Sequence, residues 1–187
     1  MSILQRSSVC REWVRIHFLS GHLKKTVRYE HVLDVCCGWG YYLKINPKAW
    51  GVDIVPECIE YLSQCGYKVK MCNVIEEDLP FPDATFDLVL MHDAMEHFTL
   101  QEAEKILKKV YHILKKGGKF LIVVPNQKGY EYGVRINCGH KHFVTPEEIA
   151  MIAKELFVVL KSYPYPLPRV MGKYSIHNKE IITLQKI

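Results

Sequence analysis

Residues 31–40, HVLDVCCGWG, decide how this chain is read. Val32, Leu33 and Val35 form a short apolar run rich in β-branched residues, the pattern of a strand buried on both faces. Asp34 interrupts the run one step before a turn of small residues that includes Cys36, Cys37, Gly38 and Gly40. A strand leading through a glycine turn into a short helix is how an open α/β sheet presents backbone N–H groups to a ligand. Gly38 and Gly40 can take φ > 0 and let a ligand approach the backbone closely. Residues 50–53, WGVD, read as the next strand, ending on an acid that can accept hydrogen bonds from both hydroxyls of a ribose.

Upstream, residues 3–23 mix Trp13, Ile16 and Phe18 with arginines and read as one or two helices ending near Gly21, a cap over a sheet edge. Downstream, residues 41–45 read as a short helix stopped by Asn46-Pro47. Pro56 opens a helix that runs to about Gln64. Tyr67, Val69 and Met71 alternate with Lys68 and Lys70, an edge-ward third strand. Residues 86–91, FDLVLM, are a buried fourth strand. Asp93 with Glu96 makes a capping-box pattern for a short helix, and Thr99 with Glu102 repeats it for the next. That helix carries Ala103, Ile106, Leu107, Val110 and Ile113 on one face. Gly117-Gly118 ends it, before a fifth strand at 119–125. Residues 126–144 read as a long loop on the substrate side, since loops of that length in a compact domain are usually functional or disordered. Thr145, Pro146 and Glu148 start a helix to about Leu156, and 157–162 and 180–186 are two last strands. This alternation implies an α/β fold, a doubly wound, seven-stranded, mostly parallel sheet in a single domain over residues 1–187. The last two strands can close only as a hairpin-like pair, which makes the final strand antiparallel.

VLDVCCGWG followed by GVDIVPE, with LPFPDATFD further on, resembles the class I S-adenosylmethionine-dependent methyltransferases, in particular the type 11-like members. The usual motif of that family has glycine where this chain has Cys36, and the DVCCG variant is familiar among quinone-biosynthesis members. The resemblance implies S-adenosyl-L-methionine as cofactor. It places Asp34, Cys36, Gly38 and Gly40 against it at the end of strand one, Asp53 and Ile54 after strand two, Asn73 and Val74 after strand three, and Met91 on strand four. In the family an acid or amide near Asn73 meets the adenine amino group, which Asn73 can do through its side-chain carbonyl; an ordinary Asn-initiated turn is the alternative. The N-terminal helices would then be a lid over the cofactor.

Methyl transfer from a sulfonium is an in-line displacement, so the protein has mainly to bind the cofactor and aim a nucleophile. A base is needed only when the acceptor is protonated. His92, at the exit of strand four, and His140, in the long loop, are the candidate catalytic residues. Cys138, His140 and His142 share that loop. Alternate side chains of an extended chain stand about 7 Å apart, too wide for one zinc ion unless Gly139 tightens the turn, and no metal is expected.

Composition bounds the partners. The chain has 187 residues, 49% hydrophobic and 24% charged, which suits one globular domain. No stretch approaches the roughly 18 apolar residues of a spanning helix, so no membrane insertion is expected. The net charge of +5 permits nucleic-acid binding. Much of the excess, however, lies on one helix as Lys105, Lys108, Lys109, Lys115 and Lys116, without the interleaved aromatics that stack bases, and reads as a solvated face. With no second domain to grip a macromolecule, the expected acceptor is a small molecule. Seven cysteines, an odd number with no C-x-x-C pair, suggest a reduced, cytoplasmic chain. Two other readings stay open. One is a non-catalytic S-adenosylmethionine-binding module. The other is an NAD-dependent oxidoreductase, whose G-x-G-x-x-G fingerprint would need glycine where Leu43 stands.

Overall fold

Seven strands form one sheet in the order β3-β2-β1-β4-β5-β7-β6, in a computed structural model that describes residues 21–167 and 179–187. The strands β1 (Val32–Val35), β2 (Trp50–Asp53), β3 (Lys68–Met71), β4 (Phe86–His92) and β5 (Leu114–Pro125) run parallel. β7 (Lys179–Lys186) inserts antiparallel between β5 and β6 (Phe157–Tyr165), as the pairing argument requires. The order reverses between β1 and β4, the position at which open α/β sheets leave a crevice for ligands. The helices are α1 (Gly21–Lys24), α2 (Pro56–Gln64), α3 (Leu100–Ile113), α4 (Gln127–Arg135) and α5 (Pro146–Ala153).

The period-two alternation of the strands divides the core into two layers. Leu33, Val35, Val89, Met91, Ile122 and Ile182 pack on one face with Ile106, Leu107 and Val110 of α3 and Ile149 of α5. Val32, Leu88, Leu90, Val123 and Ile181 pack on the other with Leu43 and with Leu62 of α2. Two capping boxes start α3 and α5 where the sequence places them. Thr99 accepts from the Glu102 N–H and Glu102 from the Thr99 N–H, and Thr145 and Glu148 exchange the same pair.

Four local expectations are corrected. Residues 41–45 form successive turns rather than a helix; Lys44 N–H reaches Gly40 and Asn46 N–H reaches Tyr42, and the short crossover to Trp50 leaves no room for more. Asp93 caps nothing. It lies at φ 52°, a 3₁₀ turn spans Met95–His97, and Lys179 holds the Asp93 carboxylate at 2.7 Å. Gly117 and Gly118 lie inside β5, which begins at Leu114, and Gly117 takes φ 73° within it. The long loop at 126–144 contains α4. Asn126 caps this helix through the Gly129 N–H at 2.9 Å, and Gly129 and Gly133 form its buried side. Buried glycines hide a helix from the sequence because they contribute no apolar period. The helical cap expected over 1–23 lies, before Gly21, outside the described residues.

Candidate functional site

Parallel strands bring the ends of β1, β2, β3 and β4 to one edge of the sheet. The turn after β1 is left-handed at three positions: Cys36 at φ 59°, Gly38 at 49° and Gly40 at 74°. Only glycine adopts this region without cost, so Cys36 carries the strain where the resembled family has glycine. The two glycines serve different ends. A Cβ on Gly38 would have nothing within 4 Å among the described residues, whereas a Cβ on Gly40 would meet Leu62 of α2 at 2.5 Å.

Asp53 ends β2 nearly buried, and both of its oxygens are held by backbone. Gly38 N–H donates to Oδ2 at 2.7 Å and Val55 N–H to Oδ1 at 3.0 Å. A carboxylate has about four acceptor sites, so two remain for a pair of hydroxyls. Beside it Ile54 and Met71, 56% and 62% exposed, offer apolar surface, and Met71 is the register partner of Asp53. That combination fits a nucleoside: a fixed carboxylate for ribose, a glycine turn beside it, and uncovered apolar side chains for a base. Asn73 Oδ1 accepts from Ile75 N–H at 3.1 Å and Glu76 N–H at 3.4 Å, the turn geometry. Val74, just beyond it, is buried, and its carbonyl accepts from Lys109. Asp34 is buried in β1, where burial and then the Asp53 charge raise its pKa well above the ordinary carboxylate value. Burial likewise pushes the Cys36 thiol up. Met91 is wholly buried in the core below the strand end.

At the exit of β4, His92 stacks near Tyr41 and His22, with ring centroids 5.2 and 5.9 Å away, and lies 3.6 Å from Asp93. His140 reaches this side from the segment after α4. Its Nδ1 lies 3.1 Å from the Tyr130 carbonyl and its ring stacks on Tyr130. Its Nε2 stands 3.7 Å from the Glu96 carboxylate. Burial lowers the His140 pKa. Burial, and secondarily the Asp93 charge, push Glu96 up to about 8. His97 stands edge-on to His140 at 5.1 Å. His142 turns away to pair with Glu148 at 3.0 Å, so of Cys138, His140 and His142 only His140 enters this group. Sequence reading treats Glu96 as a cap. The available signal was an acid-His pair just past a central strand with a further histidine downstream.

The lysines expected on one helix face are divided: Lys105, Lys108 and Lys109 lie on α3, whereas Lys115 and Lys116 lie on β5, because the helix ends at Ile113, and three of the five are engaged within the chain. Lys109 donates to the carbonyls of Val74, Ile75 and Glu77, Lys108 pairs with Glu104, and Lys115 with Asp87. Leu43, where a dinucleotide fingerprint needs glycine, is fully buried. No helix among the described residues is long and apolar enough to cross a membrane.

A methyltransferase-domain family model matches residues 33–122. The chain is 35% identical over 106 residues to an uncharacterized methyltransferase, YcgJ, of Bacillus subtilis, covering 51% of this chain and 41% of that protein. It is 31% identical over 96 residues to "Probable tRNA methyltransferase 9B" of Mus musculus, covering 50% of this chain and 21% of that protein. The chain thus spans less than half the length of these relatives. In fold it is similar to a SAM-dependent methyltransferase from Archaeoglobus fulgidus, with TM-score 0.73 at 21% identity over 96% of this chain and 99% of that one. Residues 33–122 thus match a methyltransferase domain, and the strand order with its antiparallel seventh strand is the fold of the S-adenosylmethionine-dependent methyltransferases, whose cofactor is S-adenosyl-L-methionine.

Proposed function

We propose that this chain moves the methyl group of S-adenosylmethionine to a small-molecule acceptor. The observation that carries the reading is the Asp53 carboxylate, fixed by the Gly38 and Val55 N–H groups with two acceptor sites to spare. Asp53 takes the ribose hydroxyls, and the turn at Asp34, Cys36, Gly38 and Gly40 gives the cofactor its backbone surface. Ile54 and Val74 flank the adenine, and Asn73 meets its edge through its side-chain NH2 group, since its Oδ1 serves the turn. Met91 supports the methionine end from below. An acceptor lone pair attacks the methyl carbon as the sulfonium C–S bond breaks, and S-adenosylhomocysteine leaves. The cofactor supplies the activated methyl group; the protein aligns the two reactants. If the acceptor atom carries a proton, His92 or His140 accepts it; burial lowers the His140 pKa, which favours the neutral ring a base needs.

Calorimetry with S-adenosylmethionine and S-adenosylhomocysteine tests the cofactor, and binding of NAD instead would overturn it. Labelled cofactor incubated with fractionated cell extract tests the acceptor. A relative named as a tRNA methyltransferase makes RNA the second reading, and label in RNA would replace the small molecule. The engagement of Lys108, Lys109 and Lys115 within the chain favours the small molecule.

A further inference from the structure

We infer that Glu96, His97 and His140 form a binding site for a divalent transition-metal cation of the zinc type. One donor atom from each of the three residues lies within 4.8 Å of the others. Donors around zinc at about 2.1 Å stand about 3.4 Å apart, so the group needs only a modest contraction to close on an ion.

Three further features are those of a ligand set. First, Glu96 is 2% exposed and its Oε2 has no hydrogen-bond partner among the described residues. A buried carboxylate oxygen left without a donor is costly, and a cation beside it removes the cost. Second, Nδ1 of His140 lies 3.1 Å from the Tyr130 carbonyl, and Nδ1 of His97 lies 3.1 Å from the Gly139 carbonyl. A carbonyl can only accept, so each Nδ1 carries the proton and each neutral ring presents its Nε2 lone pair. Backbone carbonyls orient metal-ligating imidazoles in this way. Third, the scaffold is fixed on both sides. The Glu96 carbonyl accepts the N–H groups of Lys141 at 2.8 Å and His142 at 3.2 Å. A Cβ on Gly133 would run into the His140 ring and the Cys138 sulfur, so α4 admits His140 only because that position is glycine.

Two imidazoles and one carboxylate suit zinc and its neighbours rather than magnesium, which prefers oxygen ligands and keeps its waters. Three protein ligands leave a fourth position open, the arrangement of zinc sites that bind a water or a substrate oxygen. The inference rests on these donors alone and holds whether or not methyl transfer is the reaction; an ion on His140 Nε2 occupies the lone pair that would take a proton, which leaves His92 as the base of the loaded protein.

The test uses the full chain, reduced and stripped with a chelator, and titrated separately with Zn²⁺, Mg²⁺ and Co²⁺. One zinc per chain is expected, bound more tightly than magnesium. Zinc affinity should fall by roughly 100-fold or more in His97→Ala and Glu96→Gln, beyond the effect of losing an outer hydrogen bond. The cobalt complex should show no thiolate charge-transfer band. Absence of zinc binding, tighter binding of magnesium, equal zinc affinity in the variants, or a thiolate band placing the ion on cysteines would each overturn the site. Circular dichroism checks each variant. Should buried Glu96→Gln fail to fold, half-buried His97→Ala decides alone.

Discussion

The Asp53 carboxylate accepts the Gly38 N–H at 2.7 Å, joining the end of β2 to the turn after β1. The acid is therefore positioned by the protein's own backbone before a ligand arrives, which lowers the ordering cost of binding. Asp53→Ala removes that anchor together with the proposed ribose contacts. S-adenosylmethionine affinity should fall by about 2–3 kcal/mol, the scale of hydrogen bonds to a charged group. Calorimetry on wild type and variant reads this directly, and an unchanged affinity would remove Asp53 from the site.

Gly38→Ala and Gly40→Ala should separate binding from stability. Both positions are left-handed, so each alanine costs about 1–2 kcal/mol of backbone strain. At Gly40 the new methyl also meets Leu62, so Gly40→Ala should be clearly the less stable in urea unfolding. At Gly38 no described residue stands within 4 Å of the new methyl, and the alanine should instead intrude on the cofactor. Gly38→Ala should therefore lose more cofactor affinity than stability. The reverse ranking would mean that ligand does not approach that turn.

His22 predicts an acid-sensitive fold. The ring is 7% exposed, neither nitrogen has a hydrogen-bond partner among the described residues, and Tyr165 lies 4.7 Å away. Burial holds its pKa down to about 3, against 6.5 unfolded, with the His92 charge a secondary cause. Below pH 6.5 the unfolded chain binds a proton that the folded chain refuses. The contribution of His22 is thus complete above 6.5 and lost as pH falls toward 3, by at most about 1.4 kcal/mol per pH unit. Unfolding curves across that window should be flatter for His22→Phe. Equal slopes would show that the ring is not buried in its neutral form.

His140→Ala should impair methyl transfer far more than cofactor binding, since His140 lies on the β4 side beside Glu96 rather than at the glycine turn. A lost base would lower turnover about a hundredfold or more. Once label transfer identifies an acceptor, turnover and S-adenosylhomocysteine affinity on the same variant decide. Equal losses would put His140 against the cofactor.

Gly133→Ala should reproduce part of that defect from a position that touches no ligand. The added methyl meets the His140 ring and the Cys138 sulfur, and the ring must move for the helix to stay. Turnover should fall while α4 remains formed by circular dichroism. Full activity would show that the His140 ring is not needed where it lies.

The strand ends were legible in the sequence because each rests on a local rule. Buried β-branched runs make strands, small residues make the turn, and Thr99 and Thr145 announce their helices through side chains that bond their own N-termini. Asp53 was legible for the same reason, as an acid directly after a strand. α4 was not, because its packing surface is the absent side chains of Gly129 and Gly133. Asp93 was misread because its carboxylate pairs with Lys179 on a strand 86 positions later, a partner no local pattern announces.

The sequence by itself determined the alternation of strands and helices, the left-handed glycine turn and the acid that faces it, since hydrophobic period, capping and backbone freedom act over a few residues. Only the tertiary structure decided that Glu96, His97 and His140 meet. Residues more than 40 positions apart come together when α4 packs and the chain after it is stitched to the Glu96 carbonyl, and no local rule records which distant donors a fold will bring to one point.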